Sequence, residues 1–247
     1  MEPLEILAFS PHPDDAEIGC GGALALGARR GLRVGVVDLT DGERATRGTP
    51  AGRASERDEA TRTLGLTERT SLGLPDGELE PSRPAVAMVV EVIRDTRPRT
   101  ILVPNDVDRH PDHEAAARLV RRGCFEAGLG RVGSGPSHRP AHQFSYMAHT
   151  PFDPSFVVDI SEVWEQKKAA VACYRTQFSS DGGGRTTALS DGDFLELLEV
   201  RARWFGAMIG ARHGEPYLCR GPVALPELPG PPGRDASEAP SLEYSMW

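Results

Sequence analysis

Short apolar runs alternate with amphipathic stretches along the first half of the chain. Aliphatic and β-branched residues predict four buried strands, at residues 5–10, 33–40, 70–74 and 100–104. Apolar residues at helical spacing predict four helices, at residues 19–30, 54–64, 84–96 and 111–124. This alternation is typical of a Rossmann-like α/β fold, in which helices cover both faces of a mostly parallel sheet.

The second half of the chain carries fewer regular patterns. It predicts two strands and two helices, at residues 143–149, 155–160, 161–174 and 193–209. Glycine, proline and charged residues predict loops, at residues 41–52, 130–140 and 179–185. We expect residues 1–224 to form one domain and the proline-rich residues 225–247 to form a poorly ordered tail.

Composition and charge limit the classes of protein to which this chain can belong. The chain has 247 residues, 39% of them hydrophobic, which is enough for a sizeable core in one α/β domain. Its formal charge of −8 argues against a duplex nucleic-acid binder and suits a small-molecule substrate. No apolar run approaches the length of a membrane helix, and the start lacks a signal-peptide pattern. Together with four scattered cysteines, this predicts a cytoplasmic protein with free thiols.

Two segments carry the candidate chemistry. His12-Pro13-Asp14-Asp15 directly follows the first predicted strand, and His110-Pro111-Asp112-His113 follows the strand at residues 100–104. Because the carboxyl ends of parallel strands form the ligand crevice of such a sheet, we expect the two segments to converge. His12, Asp15 and His113 would then supply three ligands with an open position, the pattern of a catalytic zinc site. The residue types alone also suit other divalent metals.

Each His-Pro-Asp segment could also be an ordinary helix start. Proline is favoured at the first position of a helix, and aspartate in its first turn complements the helix dipole. That interpretation expects Ser, Thr, Asp or Asn as the cap, whereas both segments carry histidine. It also leaves His113 and Asp15 unexplained. We therefore favour the metal site, with Pro13 setting the start of the first helix.

The motif Pro11-His12-Pro13-Asp14-Asp15-Ala16-Glu17-Ile18-Gly19-Cys20-Gly21-Gly22, with the distal His110-Pro111-Asp112-His113, resembles the zinc-dependent de-N-acetylases of the PIG-L/LmbE type. The resemblance extends over roughly residues 4–220, so that the predicted domain is LmbE-like. Five further stretches are similar to the bacillithiol-pathway branch, at residues 38–40, 46–49, 72–77, 156–160 and 174–178. Members of that branch deacetylate N-acetylglucosaminyl malate.

The resemblance implies a role for each residue of the two segments. It implies one Zn²⁺ per subunit held by His12, Asp15 and His113, with Asp14 as the general base toward a zinc-activated water. Protonated His110 would help to hold the oxyanion and could pass a proton to the departing amine. Asp112 would orient His110 and favour its charged form.

Three arginines match positions of that branch. The resemblance implies that Arg53, Arg109 and Arg139 bind substrate, since the planar guanidinium suits carboxylates such as those of malate. In some relatives the counterpart of Arg139 comes from a neighbouring subunit, and the resemblance implies a homo-oligomer such as a hexamer. Relatives often carry a tyrosine near Gly192, where this chain has Asp191-Gly192-Asp193-Phe194. We assign no replacement for that phenol.

Other interpretations remain open. The same fold could act on mycothiol-type thiol sugars, thiol conjugates or chitooligosaccharides, or it could bind metal and sugar without turnover. The free Asp14 favours catalysis over mere binding. A nucleotide-binding role is disfavoured because GCGG lacks the GxGxxG spacing. We expect four further histidines to be ordinary surface or core residues, namely His138, His142, His149 and His213.

Overall fold

The apolar runs form the centre of a seven-stranded sheet in a computed structural model that describes residues 2–179 and 193–223. The strands are β1 (Ile6–Ser10), β2 (Val34–Thr40), β3 (Glu68–Leu74), β4 (Thr100–Pro104), β5 (His142–Tyr146), β6 (Phe156–Asp159) and β7 (Gly214–Leu218). Their order across the sheet is β3-β2-β1-β4-β5-β7-β6. The first five strands run parallel, and β7 pairs antiparallel with both β5 and β6.

Helices cover both faces of this sheet. They are α1 (Asp15–Arg29), α2 (Pro50–Leu64), α3 (Arg83–Thr96), α4 (Pro111–Ala127), α5 (Trp164–Ala172), α6 (Arg175–Phe178) and α7 (Phe194–Met208), with a 3-10 turn at Ser161–Val163. The apolar side chains of α3 and α4 form one buried cluster with the sheet, and those of α1, α2, α5 and α7 form another. The predicted Rossmann-like α/β architecture is thus confirmed.

The position of β1 decides where a ligand can bind. It lies between β2 and β4, and Ala8 is in register with Val36 on one side and with Leu102 on the other. The chain after Ser10 and the chain after Pro104 therefore emerge side by side at the same edge of the sheet. The chain adds β2 and β3 on one side of β1, and then β4 and β5 on the other side. In a doubly wound fold, the ligand crevice lies where the strand order reverses in this way.

Glycines in α1 allow that helix to lie close to the sheet. A Cβ atom at Gly19 would overlap the ring of Tyr146, and one at Gly22 would lie 2.6 Å from Ile160. Such close approaches exclude any larger side chain without a shift of the neighbour. The GCGG run therefore serves the packing of α1 in this fold.

Several element boundaries differ from the predictions. α1 begins at Asp15, before the predicted residue 19, and α2 begins at Pro50 inside the predicted loop. The reason at α2 is local, because Thr49 caps the helix by accepting from the Gly52 N–H at 3.1 Å. β5 ends at Tyr146, three residues before the predicted end, and the His149 N–H donates to the Asp108 carboxylate outside the sheet. β7 was not predicted, since it is short and contains Pro216.

Some predictions fall outside the described residues. These are the loop beyond Ser179, the run at residues 191–192 and the tail at residues 225–247. Within the described ranges, no helix combines the length and apolar character needed to span a membrane.

Candidate active site

The two His-Pro-Asp segments meet at the carboxyl edge of β1 and β4. The Asp15 Oδ2 atom lies 3.0 Å from His12 Nδ1 and 3.1 Å from His113 Nε2. The ligand atoms of these three residues all lie within 4.8 Å of one another, close enough to share one metal ion. The fold thus brings together the three residues that the sequence predicts as metal ligands.

The donor set fits a zinc ion. His113 is 1% exposed, and neither of its ring nitrogens makes a contact with hydrogen-bond geometry in the described chain. A buried imidazole without a hydrogen bond is costly unless another partner satisfies it. Two imidazole nitrogens and one carboxylate oxygen are ligands that zinc accepts, and they leave a position open. The same set also suits other first-row metals.

A second layer of carboxylates lies behind the two histidines. His12 Nε2 is 3.1 Å from Asp112 Oδ2 and 3.2 Å from Asp76 Oδ1. His113 Nδ1 is 3.3 Å from Asp108 Oδ1. Carboxylates in this position orient metal-binding histidines and raise their basicity. The roles of Asp76 and Asp108 were missed from the sequence, because neither has a local signal beyond lying in a loop.

These carboxylates make the site strongly attractive to positive charge. Burial alone would lower the pKa of His12, but Asp112, Asp15 and Asp76 hold that pKa well above its ordinary range. Burial opposes ionisation of Asp15, yet its pKa lies well below the ordinary range because of His113 and His12. A divalent cation at this point would therefore replace a proton that the carboxylates already favour.

Asp14 differs from its neighbour Asp15. It caps α1 with a φ of 117° and makes no side-chain cap bond, and its carboxylate has no hydrogen bond within the described residues. The Arg53 Nη2 atom lies 3.5 Å from Asp14 Oδ2. Burial raises the pKa of the Asp14 carboxyl to about 7, although the Arg53 guanidinium opposes the shift. Asp14 is thus a buried carboxyl group that titrates near neutral pH beside the metal ligands.

Arg53 holds the turn that carries Asp14. It is 5% exposed and donates to the Pro13 carbonyl at 2.6 Å and to the Gly42 carbonyl at 3.2 Å. Part of its donor capacity is therefore committed to the protein backbone. Arg53 also borders the cleft beside Asp14, so its predicted contact with substrate stays a prediction.

His110 caps α4 with its own ring. Its Nδ1 atom accepts from the Asp112 N–H at 3.2 Å, so the neutral ring carries its proton on Nε2. Burial lowers the pKa of His110, and the nearby His12 and His113 lower it further. The ring thus has one N–H to donate at Nε2, and the expected charged form of His110 stays a prediction.

The carboxylate of Asp112 has partners other than His110. Its two oxygens accept from the Gly77 N–H at 2.8 Å and the Leu79 N–H at 3.2 Å, and Oδ2 also contacts His12. This carboxylate makes no hydrogen bond to the His110 ring within the described residues, although its charge opposes the lowering of the pKa of His110. Its role in orienting His110 therefore stays a prediction. The hydrogen bond that holds the ring comes from the backbone N–H of Asp112.

The convergence creates a cleft of about 280 Å³. Its lining includes residues from both segments and from the loops after β2, β3 and β5, namely His12, Asp14, Asp15, Ile18, Arg44, Ala45, Thr46, Arg53, Asp76, His110, His113, His149 and Gln177. Arg44, Thr46 and Gln177 were not predicted as site residues. His149, which was expected to be an ordinary surface or core histidine, belongs to the wall of the cleft.

Arg109 and Arg139 do not line this cleft. Arg109 is exposed between the buried Asp108 and the half-buried His110, and its substrate contact stays a prediction. Arg139 precedes the amino end of β5, whereas the cleft lies at the carboxyl ends of the parallel strands. Its guanidinium lies 5.5 Å from the centre of the Phe125 ring. Arg139 therefore lies away from the cleft of its own chain, and its substrate contact stays a prediction.

Fold and site together define an α/β protein with a candidate metal centre at its switch point, and comparison with known proteins agrees. The sequence model of the PIG-L family, described as GlcNAc-PI de-N-acetylase, matches residues 7–124. The chain is 33% identical over 232 residues to the diacetylchitobiose deacetylase of Thermococcus kodakarensis, covering 85% of this chain and 81% of that protein. The chain belongs to the PIG-L family of LmbE-type deacetylases.

Two further proteins extend the similarity. A solved structure of the conserved protein TT1542 from Thermus thermophilus superposes with a TM-score of 0.85 at 38% identity, covering 92% of this chain and all of that one. The probable N-acetyl-alpha-D-glucosaminyl L-malate deacetylase 2 of Bacillus subtilis is 29% identical over 192 residues, covering 70% of this chain and 82% of that protein. The similarity therefore spans most of the described fold.

Proposed function

We propose that this chain is a zinc-dependent hydrolase that removes the N-acetyl group from a small N-acetylglucosaminide. Membership of the deacetylase family gives the reaction class. The observation that carries the proposal is Asp14, a buried carboxyl group that caps no helix N–H and is paired with Arg53 at 3.5 Å, beside three candidate metal ligands. A protein that only binds metal and sugar has no use for such a group, whereas a general base must stay unbonded to accept a proton.

His12 Nδ1, Asp15 Oδ2 and His113 Nε2 would hold the zinc, which when bound polarises a carbonyl oxygen and lowers the pKa of water. Asp14 accepts the proton of the attacking water on a carboxylate oxygen and later returns it to the departing amine. Burial raises the pKa of this carboxyl group, which makes it a better proton acceptor than an exposed aspartate. Arg53 keeps the turn that carries Asp14 in place.

His110 has a separate task in this proposal. Its Nδ1 atom is occupied by the Asp112 N–H, so Nε2–H is the hydrogen that it can donate. That donor would stabilise the carbonyl oxygen as it gains negative charge during attack. A neutral donor whose ring is fixed by a backbone hydrogen bond needs no reorganisation during the reaction.

The proposal also concerns the aglycone, the group that is attached to N-acetylglucosamine in the substrate. We favour a neutral N-acetylglucosaminide such as diacetylchitobiose, because Arg53 is already bonded to backbone carbonyls and Arg44 is paired with Glu78. The relative from Thermococcus kodakarensis is a diacetylchitobiose deacetylase, which supports this choice. N-acetylglucosaminyl malate, as in bacillithiol biosynthesis, is the second candidate. Two guanidinium groups in the cleft wall and the relative from Bacillus subtilis favour it.

A substrate panel tests the proposal. Protein stripped with a chelator and protein reloaded with zinc would each be incubated with diacetylchitobiose, N-acetylglucosaminyl malate and N-acetylglucosamine, with mass-spectrometric detection of the free amine. We expect amine from the zinc-loaded protein and none from the stripped protein. Release of no amine from any N-acetylglucosaminide by zinc-loaded protein would overturn the proposal.

Arginine variants distinguish the two aglycones. Arg44→Ala removes a guanidinium from the cleft wall, and Arg122→Ala is a matched control at another exposed arginine that is paired with a glutamate, on α4 and outside the cleft lining. If the natural substrate carries carboxylates, Arg44→Ala lowers kcat/KM for the malate glycoside far more than for diacetylchitobiose. Equal losses on both substrates support the neutral aglycone.

We also propose a homo-oligomer, in which Arg139 would serve a neighbouring subunit. The support is indirect, since Arg139 lies at the edge of the sheet opposite its own cleft. Light scattering after size exclusion gives the subunit number. Mixing an Arg139→Ala variant with an Asp14→Asn variant should restore activity if the arginine acts between subunits. No recovery in a mixture shown to exchange subunits would refute that role.

A further inference from the structure

We infer that His149 forms a subsite for a hydroxyl group of the sugar ring, an inference that rests on the proposed function. The mechanism above gives this residue no role, and no sequence pattern singles it out. Three observations carry the inference: the position of its ring in the cleft, the absence of a hydrogen-bond partner for that ring in the described part of the chain, and the rigidity of its backbone.

The His149 ring lies in the wall of the cleft. It stacks on the ring of His113, with 5.0 Å between the ring centroids and 12° between the planes. The side chain is half-buried, so one side of the ring faces the protein and the rest is open to the cleft. A substrate bound at the metal ligands would therefore meet the His149 ring as a neighbour.

The ring nitrogens of His149 make no hydrogen bond within residues 2–179 and 193–223. This differs from the half-buried His138, whose Nε2 atom lies 2.8 Å from the Pro98 carbonyl oxygen. A neutral imidazole offers one donor and one acceptor, and a sugar hydroxyl group can engage either. The cleft thus presents a hydrogen-bonding group that is available to a ligand.

The backbone around His149 is held from two sides. The Asp108 Oδ2 atom accepts from the His149 N–H at 2.9 Å and from the Thr150 N–H at 3.2 Å. On the other side, Arg201 donates to the Ala148 carbonyl at 2.7 Å and to the Ile18 carbonyl at 2.9 Å. These bonds fix the ring at a defined place, as a binding group requires.

A role for His149 as a metal ligand is the alternative. Its ring lies near Asp108 and His113, and the three could share an ion. Asp108 is poorly suited to that task, because its oxygens already accept the N–H groups of His110, His149 and Thr150. The His12–Asp15–His113 set supplies three ligands without it. Zinc affinity therefore separates the two roles.

The test measures sugar binding as well as turnover. N-acetylglucosamine would be titrated into zinc-loaded protein and followed by ligand-observed NMR, for the wild type, His149→Phe and His149→Gln. Phe keeps the ring and removes its nitrogens, so we expect about three- to tenfold weaker binding, the contribution of one neutral hydrogen bond. Gln keeps a donor and an acceptor and should recover most of the affinity. His142→Phe, a matched change at the amino end of β5, should leave binding unchanged.

Monodeoxy analogues of N-acetylglucosamine identify the hydroxyl group. For one analogue, the affinity of the wild type should fall by the same factor by which His149→Phe weakens binding of the parent sugar. The His149→Phe variant should bind that analogue as well as it binds the parent sugar. The subsite would be refuted if, for every analogue, the affinity losses from the substitution and from the missing hydroxyl group multiplied. It would also be refuted if His149→Phe bound N-acetylglucosamine with wild-type affinity, or if the wild type bound no sugar. A fall in zinc affinity in His149→Phe would refute it in favour of the ligand role. If sugar binds and depends on His149 but no amine is released, the proposed deacetylation fails and the subsite stands.

Discussion

The two His-Pro-Asp segments follow neighbouring parallel strands, yet they begin their helices differently. At the second segment, His110 caps α4 with ordinary extended backbone, φ −93° and ψ 121°, and its ring accepts from the Asp112 N–H. At the first segment the cap of α1 is Asp14, with φ 117° and no side-chain cap bond. The prediction that Pro13 sets the start of the helix is wrong, because α1 begins two residues later at Asp15.

This difference shows where the fold stores strain for function. A non-glycine residue in that backbone region costs about 1–3 kcal/mol, and such strain gathers at active sites. Here the surrounding bonds maintain it: Arg53 holds the Pro13 carbonyl, and Ser10 Oγ donates to the His12 carbonyl and accepts from the Ala16 N–H. The relaxed segment provides a cap and a candidate metal ligand. The strained segment leaves the Asp14 carboxylate without a cap bond, 3.5 Å from Arg53 and beside the candidate metal ligands.

The largest expected effect is on turnover by Asp14→Asn. The amide has nearly the same shape but cannot accept a proton, so kcat should fall by about 10²–10⁴-fold, the usual contribution of a general base. Zinc affinity should change little, because Asp14 is not among the three candidate ligands. Steady-state kinetics and a competitive chelator titration measure the two quantities. Full activity in this variant would remove Asp14 from the mechanism.

The corresponding change in the second segment is Asp112→Asn, and it should act on the metal. The Asp112 carboxylate supports His12 Nε2 at 3.1 Å, so its loss should weaken zinc binding by about 10–100-fold. Saturating zinc should restore much of the activity, which it cannot do for Asp14→Asn. If the two variants had the same zinc affinity and responded to added zinc in the same way, the two segments would not have the different roles described here.

The strain at Asp14 predicts a gain in stability when it is relieved. Asp14→Gly removes the strained side chain and a buried carboxylate, and glycine's extra entropy in the unfolded state offsets part of the gain, leaving about 1–2 kcal/mol. Urea unfolding of metal-free protein measures the free energy directly. The matched His110→Gly has no positive φ to relieve and loses a cap bond, so its stability should not rise. A loss of stability in Asp14→Gly would argue against strain at this turn.

The smallest expected effect is at Arg97, which is also a non-glycine residue with positive φ but lies outside both segments. It ends α3 in the left-handed region, with φ 46° and ψ 50°. Arg97→Gly should raise the free energy of unfolding by about 0.5–1 kcal/mol without changing kcat. A matched Arg94→Gly change would do the opposite, since Arg94 is buried and donates to carbonyls at and beyond the end of α4. Thermal unfolding and activity assays together check that strain at Arg97 has no catalytic role.

Much of the parallel half of the fold follows from the sequence, because each strand and helix there has its own periodicity. The strand at Thr100–Pro104 was predicted with the bounds that the structure has, and the predicted convergence of His12, Asp15 and His113 is found in the fold. β7 was missed because a short strand with Pro216 has no independent pattern and forms only by pairing with β5 and β6. The place of Arg139 relative to the cleft could not be predicted, because similarity to a family identifies a residue type, whereas that place depends on which end of β5 the residue precedes.

Local spacing and side-chain chemistry were enough to establish the α/β alternation, the two His-Pro-Asp segments and the residue types of the metal site. The tertiary fold was needed to show that the Asp112 carboxylate serves His12, that Asp76 and Asp108 lie behind the ligands, and that His149 stacks on His113. These contacts join residues from different loops and segments of the chain. Strand order and register, not local preference, fix which of them meet.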